Sequence, residues 1–320
     1  MSYGPRIATL ELNGNPAVAL VLPEGVVPLA HLVPEAPTEV TRLIREWTTW
    51  REPVKAAAAV AVNGSRASVT ALDAVTWLPP LIPRKVLCVG SNYYDHVEEM
   101  AGPASLEIRP APFPFSFLKP PTTLVGSNRT VVHPSYGSKL DWEAELAVVI
   151  GDPAEASGPD PLSAVFGYTM LNDLSLRDFL PFPHTLGLDA VISKGFDGAA
   201  PIGPWITLAE DVPDPQDMPI QLRINGHLQQ DGSTSDMIFG IAELIRHYAR
   251  VMTLEPGDVI ATGTPAGVGA GGKPPRFLSA GDVVEIHIGE LGRLETTITA
   301  AASSESLDQA ARSRVSGAKG

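Results

Sequence analysis

Three carboxylates recur at every second position in Asp141-Trp-Glu143-Ala-Glu145. On a β-strand such residues share one face, because side chains alternate sides of the pleat. Three like charges in a row repel unless something positive sits among them, and a hard divalent cation with oxygen ligands would serve. The residues alone fit a solvated outer sheet face equally well. A fourth acid, Asp173, follows the apolar run Val165–Leu171 and could add another oxygen donor. Arg177 follows and could hold a substrate carboxylate; an N-cap at Asp173 or Ser175 and a structural ion pair for Arg177 are the plainer reading. His96 and Glu99, three residues apart after Asp95, would share one face of a short helix. A carboxylate beside an imidazole orients it and raises its basicity, as general-base chemistry requires. The same spacing also describes an ordinary surface pair. Lys194 stands between apolar segments, either solvated or bound to something anionic.

These residues need elements to position them. Lys139–Ile150 reads as one strand closed by the turn Gly151-Asp152-Pro153, and Val165–Leu171 as the next. Val86–Val89 is a short buried strand leading into the His96 helix, and Phe115–Lys119 is another. The proline-rich stretch Pro103–Pro114 between them could be a lid. Asn225-Gly226 and Asn13-Gly14 mark hairpins. Helices are expected over Thr38–Trp50 and Ser235–Met252, His184–Ile192 is expected to be a loop, and Val283–Ile288 is expected to be the last strand. Gly267–Lys273 imitates a phosphate-binding loop, but Pro274 replaces the required Ser or Thr and Pro274-Pro275 forbids the following helix, so nucleotide binding is rejected.

The 320 residues are 44% hydrophobic and carry a formal charge of −13. That supports a large core, and with no basic run it argues against nucleic-acid binding. Thirty-one prolines and 29 glycines favour a β-rich α+β fold over a helical bundle. The longest apolar run, Ala56–Val62, is too short to span a bilayer, and no signal peptide is recognisable, so a cytoplasmic protein is expected. The single cysteine, Cys88, reads as a buried small hydrophobe. The expected organisation is a small N-terminal α+β domain at 1–78, a proline linker at 79–83, a catalytic domain at 84–300 and a frayed tail at 301–320.

Taken in order, the motifs resemble the fumarylacetoacetate hydrolase family. The likeness rests on Asn92-Tyr-Tyr-Asp-His96, Asp141-Trp-Glu-Ala-Glu-Leu146, Asn172-Asp-Leu-Ser-Leu-Arg-Asp178, Lys194-Gly-Phe-Asp197 and Thr262-Gly-Thr-Pro-Ala-Gly-Val268, and it covers roughly residues 84–298. The resemblance implies a mixed β-sandwich roll, usually a homodimer, with Mg²⁺ or Mn²⁺ held by Glu143, Glu145 and Asp173 and with Asp141 as a neighbour of the metal. It implies a His96–Glu99 dyad beside a lid, Lys194 on the substrate side, and Arg177, Thr264 and Tyr93 against a small anionic keto acid. The family often has a glutamine two residues after the position of Asp178, where this chain has Leu180, which bears on the distal end of the substrate. The leading expectation is metal-dependent hydrolysis of a carbon–carbon bond in a 2,4-dioxo acid. The alternatives are decarboxylation or keto–enol isomerisation of an oxaloacetate-like or dienoate acid, and a non-catalytic metal-binding protein.

Overall fold

Two Asn-Gly pairs turn the chain as their composition requires. Asn13 and Gly14 have φ of 51° and 77°, and Asn225 and Gly226 have 51° and 79°. Positive φ at both central residues is the hairpin turn that matches strand twist. The computed structural model describes residues 4–62, 69–102, 112–180 and 189–301. In chain order the first elements are β1 (Arg6–Leu12), β2 (Asn15–Leu22), β3 (Gly25–Pro28), α1 (Val40–Arg45) and α2 (Trp47–Val62). Then come β4 (Val86–Gly90), α3 (Tyr94–Ala101), β5 (Phe115–Lys119), β6 (Leu124–Val125), β7 (Arg129–Val132), β8 (Leu140–Asp141), β9 (Ala144–Ile150), β10 (Val165–Asn172) and β11 (Ser175–Leu176). The last group is α4 (Ala190–Lys194), β12 (Ala200–Leu208), β13 (Pro219–Ile224), β14 (His227–Ser233), α5 (Ile241–Val251), β15 (Val259–Ala261), β16 (Val283–Ile288) and β17 (Leu294–Thr299).

The fold is β-rich, with mixed sheets and few helices. A large sheet runs β3-β2-β1-β12-β10-β9-β15-β4-β5, with β6 also paired to β12. A second sheet, β14-β13-β16-β17-β7, packs against it. Leu146, Val148 and Ile150 of β9 meet Ile220, Leu222 and Ile224 of β13 and the inward face of β16 in one core cluster. Ala147 and Val149 point the other way, into a cluster with Leu43, Ile44 and Val54 of α1 and α2. Burial on both faces explains why β9 is continuously apolar rather than alternating. Cys88 lies fully buried in β4, between Ala261 of β15 and Phe117 of β5. No helix among the described residues is long and apolar enough to cross a membrane.

Several elements differ from the sequence expectation. The Lys139–Ile150 strand is broken: Trp142 and Glu143 leave the ladder between β8 and β9, and β8 pairs with β11 in a sheet of its own. The first helix splits at Glu46, and α2 continues through Pro53, because Val54, Ala57 and Ala58 carry its buried stripe onward. The last helix begins only at Ile241, after Gly240, since the Ile238 backbone N–H is taken by the Asn92 carbonyl. Residues 190–192 of the expected loop belong to α4, capped by the Asp189 carboxylate on the N–H groups of Val191 and Ile192. β17 follows what was expected to be the final strand. The 79–83 stretch is no break in the sheet, because β1 pairs directly with β12, Arg6 opposite Thr207 and Ile7 opposite Ile206. Most of the Pro103–Pro114 lid segment and the tail beyond 301 lie outside the described residues.

Candidate active site

The break between β8 and β9 is what builds the site. Glu143 cannot join the ladder there, so its N–H is taken by Asn172 Oδ1 at 3.0 Å and its carbonyl by the Asp173 N–H at 2.9 Å. These bonds fasten the Glu143 backbone to the end of β10. Glu145, in register on β9, and Asp173, just past β10, then converge with Glu143. Oxygens of the three carboxylates lie within 4.8 Å of one another, and all three residues are buried.

Such a cluster survives only with compensation. Lys194 Nζ, at the end of α4, contacts Glu143 at 2.7 Å and Asp173 at 2.6 Å. Lys119 Nζ contacts the other Asp173 oxygen at 2.5 Å from the end of β5. Arg177 joins Glu143 at 2.6 Å to Asp141 at 2.8 Å. Asp141 therefore faces the arginine and the glycine loop rather than the triad, so the strand parity holds for Glu143 and Glu145 but not for Asp141.

Four buried carboxylates face three cations, and Glu145 is the one left without a contacting cation; its Oε2 accepts from the Gly263 N–H at 2.9 Å. Burial, followed by the charges of Asp173 and Glu143, pushes the Glu145 carboxyl well above its usual range. Burial acts on Glu143 in the same direction, but Lys194 and Arg177 outweigh it and hold that carboxyl well below the usual range. Burial disfavours the Lys194 ammonium, yet Asp173 and Glu143 raise its pKa above the ordinary value. An all-oxygen donor set that is one positive charge short of balance fits a hard divalent cation. Soft or imidazole-seeking ions find no sulfur or nitrogen ligand in the triad.

A cavity of about 120 Å³ opens over this cluster. His96, Glu143, Glu145, Arg177, Lys194 and Thr264 line it, with Phe115, Phe117 and Leu180 as apolar wall. Size does not pick out the site: a groove of about 460 Å³ lies beside Trp47 and Phe166. Its Glu210 is held by Arg51 and Lys55 rather than gathered with other carboxylates. His96 is 8% exposed and its Nδ1 stands 3.6 Å from Glu99 Oε2. Glu99 meanwhile accepts the Gly267 N–H on both oxygens, at 3.0 and 3.1 Å. Gly267 has φ of 100°, and a Cβ there would collide with the Gln229 carbonyl. The Thr264 hydroxyl oxygen accepts from Gln230 Nε2 at 2.8 Å, which leaves its own proton free to donate elsewhere.

The structure thus brings together His96, Glu99, Glu143, Glu145, Asp173, Arg177, Lys194 and Thr264. Tyr93 is not among them; it is fully buried in the main core cluster and lines no part of the cavity. Lys119 and Gln230 escape the sequence reading. Phe115-Ser-Phe-Leu-Lys119-Pro looks like a strand ending in a solvated lysine, and Gln230 sits in a hairpin strand of mixed polarity.

Comparison with known proteins adds four findings. The family model described as fumarylacetoacetate (FAA) hydrolase C-terminal matches residues 85–299. The chain is 42% identical over 221 residues to the oxaloacetate tautomerase YisK of Bacillus subtilis (strain 168), covering 68% of this chain and 71% of the relative. It is 37% identical over 291 residues to the human mitochondrial oxaloacetate tautomerase FAHD2B, covering 90% of this chain and 86% of the relative. Among solved structures, maleylpyruvate hydrolase from Sphingobium sp. SYK-6 in complex with manganese(II) ion and pyruvate superposes with a TM-score of 0.71 at 26% identity, over 92% of this chain and 99% of that one.

Proposed function

The chain belongs to the fumarylacetoacetate hydrolase family, and from that premise we propose that it is a divalent-metal-dependent enzyme interconverting the keto and enol forms of a small oxaloacetate-like 2-oxo acid. The observation that carries this reading is the buried Glu143–Glu145–Asp173 triad sharing one cavity with His96, Arg177 and Lys194. Cleavage of a 2,4-dioxo acid, the leading expectation from sequence, would use the same groups and add an attacking water. The relatives named oxaloacetate tautomerases support keto–enol interconversion instead.

Glu143, Glu145 and Asp173 would hold Mg²⁺ or Mn²⁺, which supplies Lewis acidity at the 2-oxo oxygen. The remaining steps belong to the chain. The site is one positive charge short of balance before any ion binds, so an ion leaves a net positive pocket that receives an anionic acid. The Thr264 hydroxyl donates to a substrate carboxylate oxygen. Arg177, with two of its donors committed to Asp141 and Glu143, fixes Glu143 and presents the rest of its guanidinium to the cavity. His96 takes the proton from C3 and later gives it up to solvent; the C–H pair becomes the C2–C3 double bond, and the oxygen at C2 receives the displaced pair and then a proton from water. Lys194, which lines the cavity, would stabilise charge on that oxygen. Decarboxylation of the same acid would use the same wall of charge but form the enolate by losing carbon dioxide from C4 rather than a proton from C3.

The test follows the enol absorbance of oxaloacetate with Mg²⁺, with Mn²⁺ and with EDTA, with NMR identification of the products. Faster metal-dependent equilibration with oxaloacetate conserved is expected. Pyruvate and carbon dioxide would replace this reading with decarboxylation, and cleavage of acylpyruvates alone would restore the hydrolase. His96→Ala should lower turnover by about 10²–10⁴-fold, the usual range for a lost proton carrier, with Mn²⁺ affinity unchanged by calorimetry. Full activity in that variant would remove His96 from the chemistry.

A further inference from the structure

The carboxylate triad and the His96–Glu99 helix read in sequence as two separate devices, yet one short turn joins them. Residues Gly269–Gly271 form a 3-10 turn wedged between the two. On one side the Gly269 and Ala270 N–H groups donate to Asp141 Oδ1 and Oδ2, at 2.6 and 3.0 Å. The Trp142 N–H at 2.9 Å and Arg177 Nε at 2.8 Å complete four donors on the fully buried Asp141. Arg177 then continues to Glu143 at 2.6 Å. On the other side the same loop receives α3: the Gly267 N–H meets Glu99, and the Ala266 N–H meets Asp95 Oδ2 at 3.1 Å. Asp95 Oδ1 in turn accepts the His96 N–H at 2.7 Å. Contact is close on both sides of the turn. A Cβ on Gly269 would lie 2.7 Å from Asp141 Oδ1, and one on Gly271 would collide with the Glu99 carboxyl group.

We propose that Asp141 is the positioning residue that couples the carboxylate triad to the His96–Glu99 helix through this glycine turn. It touches neither substrate nor the triad's cavity face. It holds the turn by two N–H groups and the triad by Arg177, so the spacing between the two halves of the site is set at one carboxylate. Every partner of Asp141 is a donor. An asparagine of the same shape would place an amide N–H₂ against at least one of them and leave buried donors unpaired. Part of the coupling rests on the reading of the triad as a metal site, and the experiment separates the two.

Amide hydrogen exchange at Ala266 and Gly267 is measured in the full chain for Asp141→Asn and for Ala270→Pro, which deletes one donor to Asp141 and keeps the carboxylate. The control is Asp258→Asn, another fully buried aspartate, held by the Glu255 N–H at 2.8 Å and Lys85 at 2.9 Å outside the site. Compared at matched global stability, exchange at both amides should be at least tenfold faster in the two test variants than in the control. Equal exchange would overturn the proposal, and Ala270→Pro decides if Asp141→Asn does not fold. In a second arm Mn²⁺ should slow exchange at these amides in the wild-type chain and fail to do so in Asp141→Asn, because coupling is reciprocal. Equal slowing in both overturns the coupling. If the wild-type chain binds no Mn²⁺, the metal reading fails, and the first arm still decides the inference.

Discussion

Lys119 shows what a single buried charge does here. Its ammonium sits against Asp173 with neither side chain more than 1% exposed. Replacing it with methionine keeps most of the volume and leaves Asp173 with Lys194 as its remaining cation. Breaking a buried pair from one side costs up to about 3–5 kcal/mol, so Lys119→Met should unfold at lower urea concentration without metal and recover part of the loss with Mn²⁺. An unchanged urea midpoint would mean that Lys194 alone satisfies Asp173. Glu145 supplies the pH dependence. Its folded pKa is raised, so the folded state holds that proton more tightly than the unfolded chain does, whose value is near about 4.3. The stabilisation is complete below the unfolded value and is lost as pH climbs through the folded one. A divalent ion must displace the same proton. Calorimetry over a pH series in buffers of different ionisation enthalpy should therefore read proton release on Mn²⁺ binding that grows as pH falls, at most one from Glu145 per ion, and release that begins only at the pH of an ordinary carboxylate would contradict the raised pKa. Glu143 and Glu145 were legible because strand parity survives at those two positions. Lys119 was not, since a lysine after Leu118 and before Pro120 carries no local sign that it folds inward.

The broken strand is the element on which the site depends. Trp142 and Glu143 contain no glycine or proline to announce a break, and local pattern alone extends β9 back to Lys139. The break comes from tertiary contacts: Asn172 takes the Glu143 N–H, Trp142 Nε1 donates to the Gly267 carbonyl at 3.0 Å, and β8 turns away to pair with β11. Asn172→Ala should leave a buried N–H unpaired at a cost of about 1–3 kcal/mol and weaken Mn²⁺ binding as Glu143 drifts. Wild-type affinity with wild-type stability would show that the break holds without it. The last helix was overextended for a related reason. Asp236 and Ile238 continue the helical pattern on paper, but the Thr234–Asp236 turn and the bond from the Ile238 N–H to Asn92 spend those residues on holding the start of α3.

At the scale of the molecule the N-terminal segment and the remainder share their cores. Beyond the β1–β12 pairing, Ile7, Leu20 and Leu43 pack in one cluster with Val86, Val149 and Ile202, and Trp77 stacks edge-on against Trp205 at 5.7 Å. The proline stretch at 79–83 suggests a linker in the sequence, whereas the strand pairing across it could not be read there, because long-range strand partners leave no local trace. Calorimetry should accordingly show one cooperative unfolding transition for the full chain; two resolved transitions would mean that the first 78 residues melt alone. The same continuity places Cys88 in the large sheet, two strands from β9, sealed between β5 and β15. Burial, then Asp173 and Glu145, push its thiol well above its usual pKa, so it is unreactive while the sheet is closed. With one thiol in the chain, each labelling event by a thiol reagent marks one opening of the floor beneath the carboxylates. The protein therefore carries its own stopwatch for the rate at which that floor parts, readable without adding a probe or changing a residue.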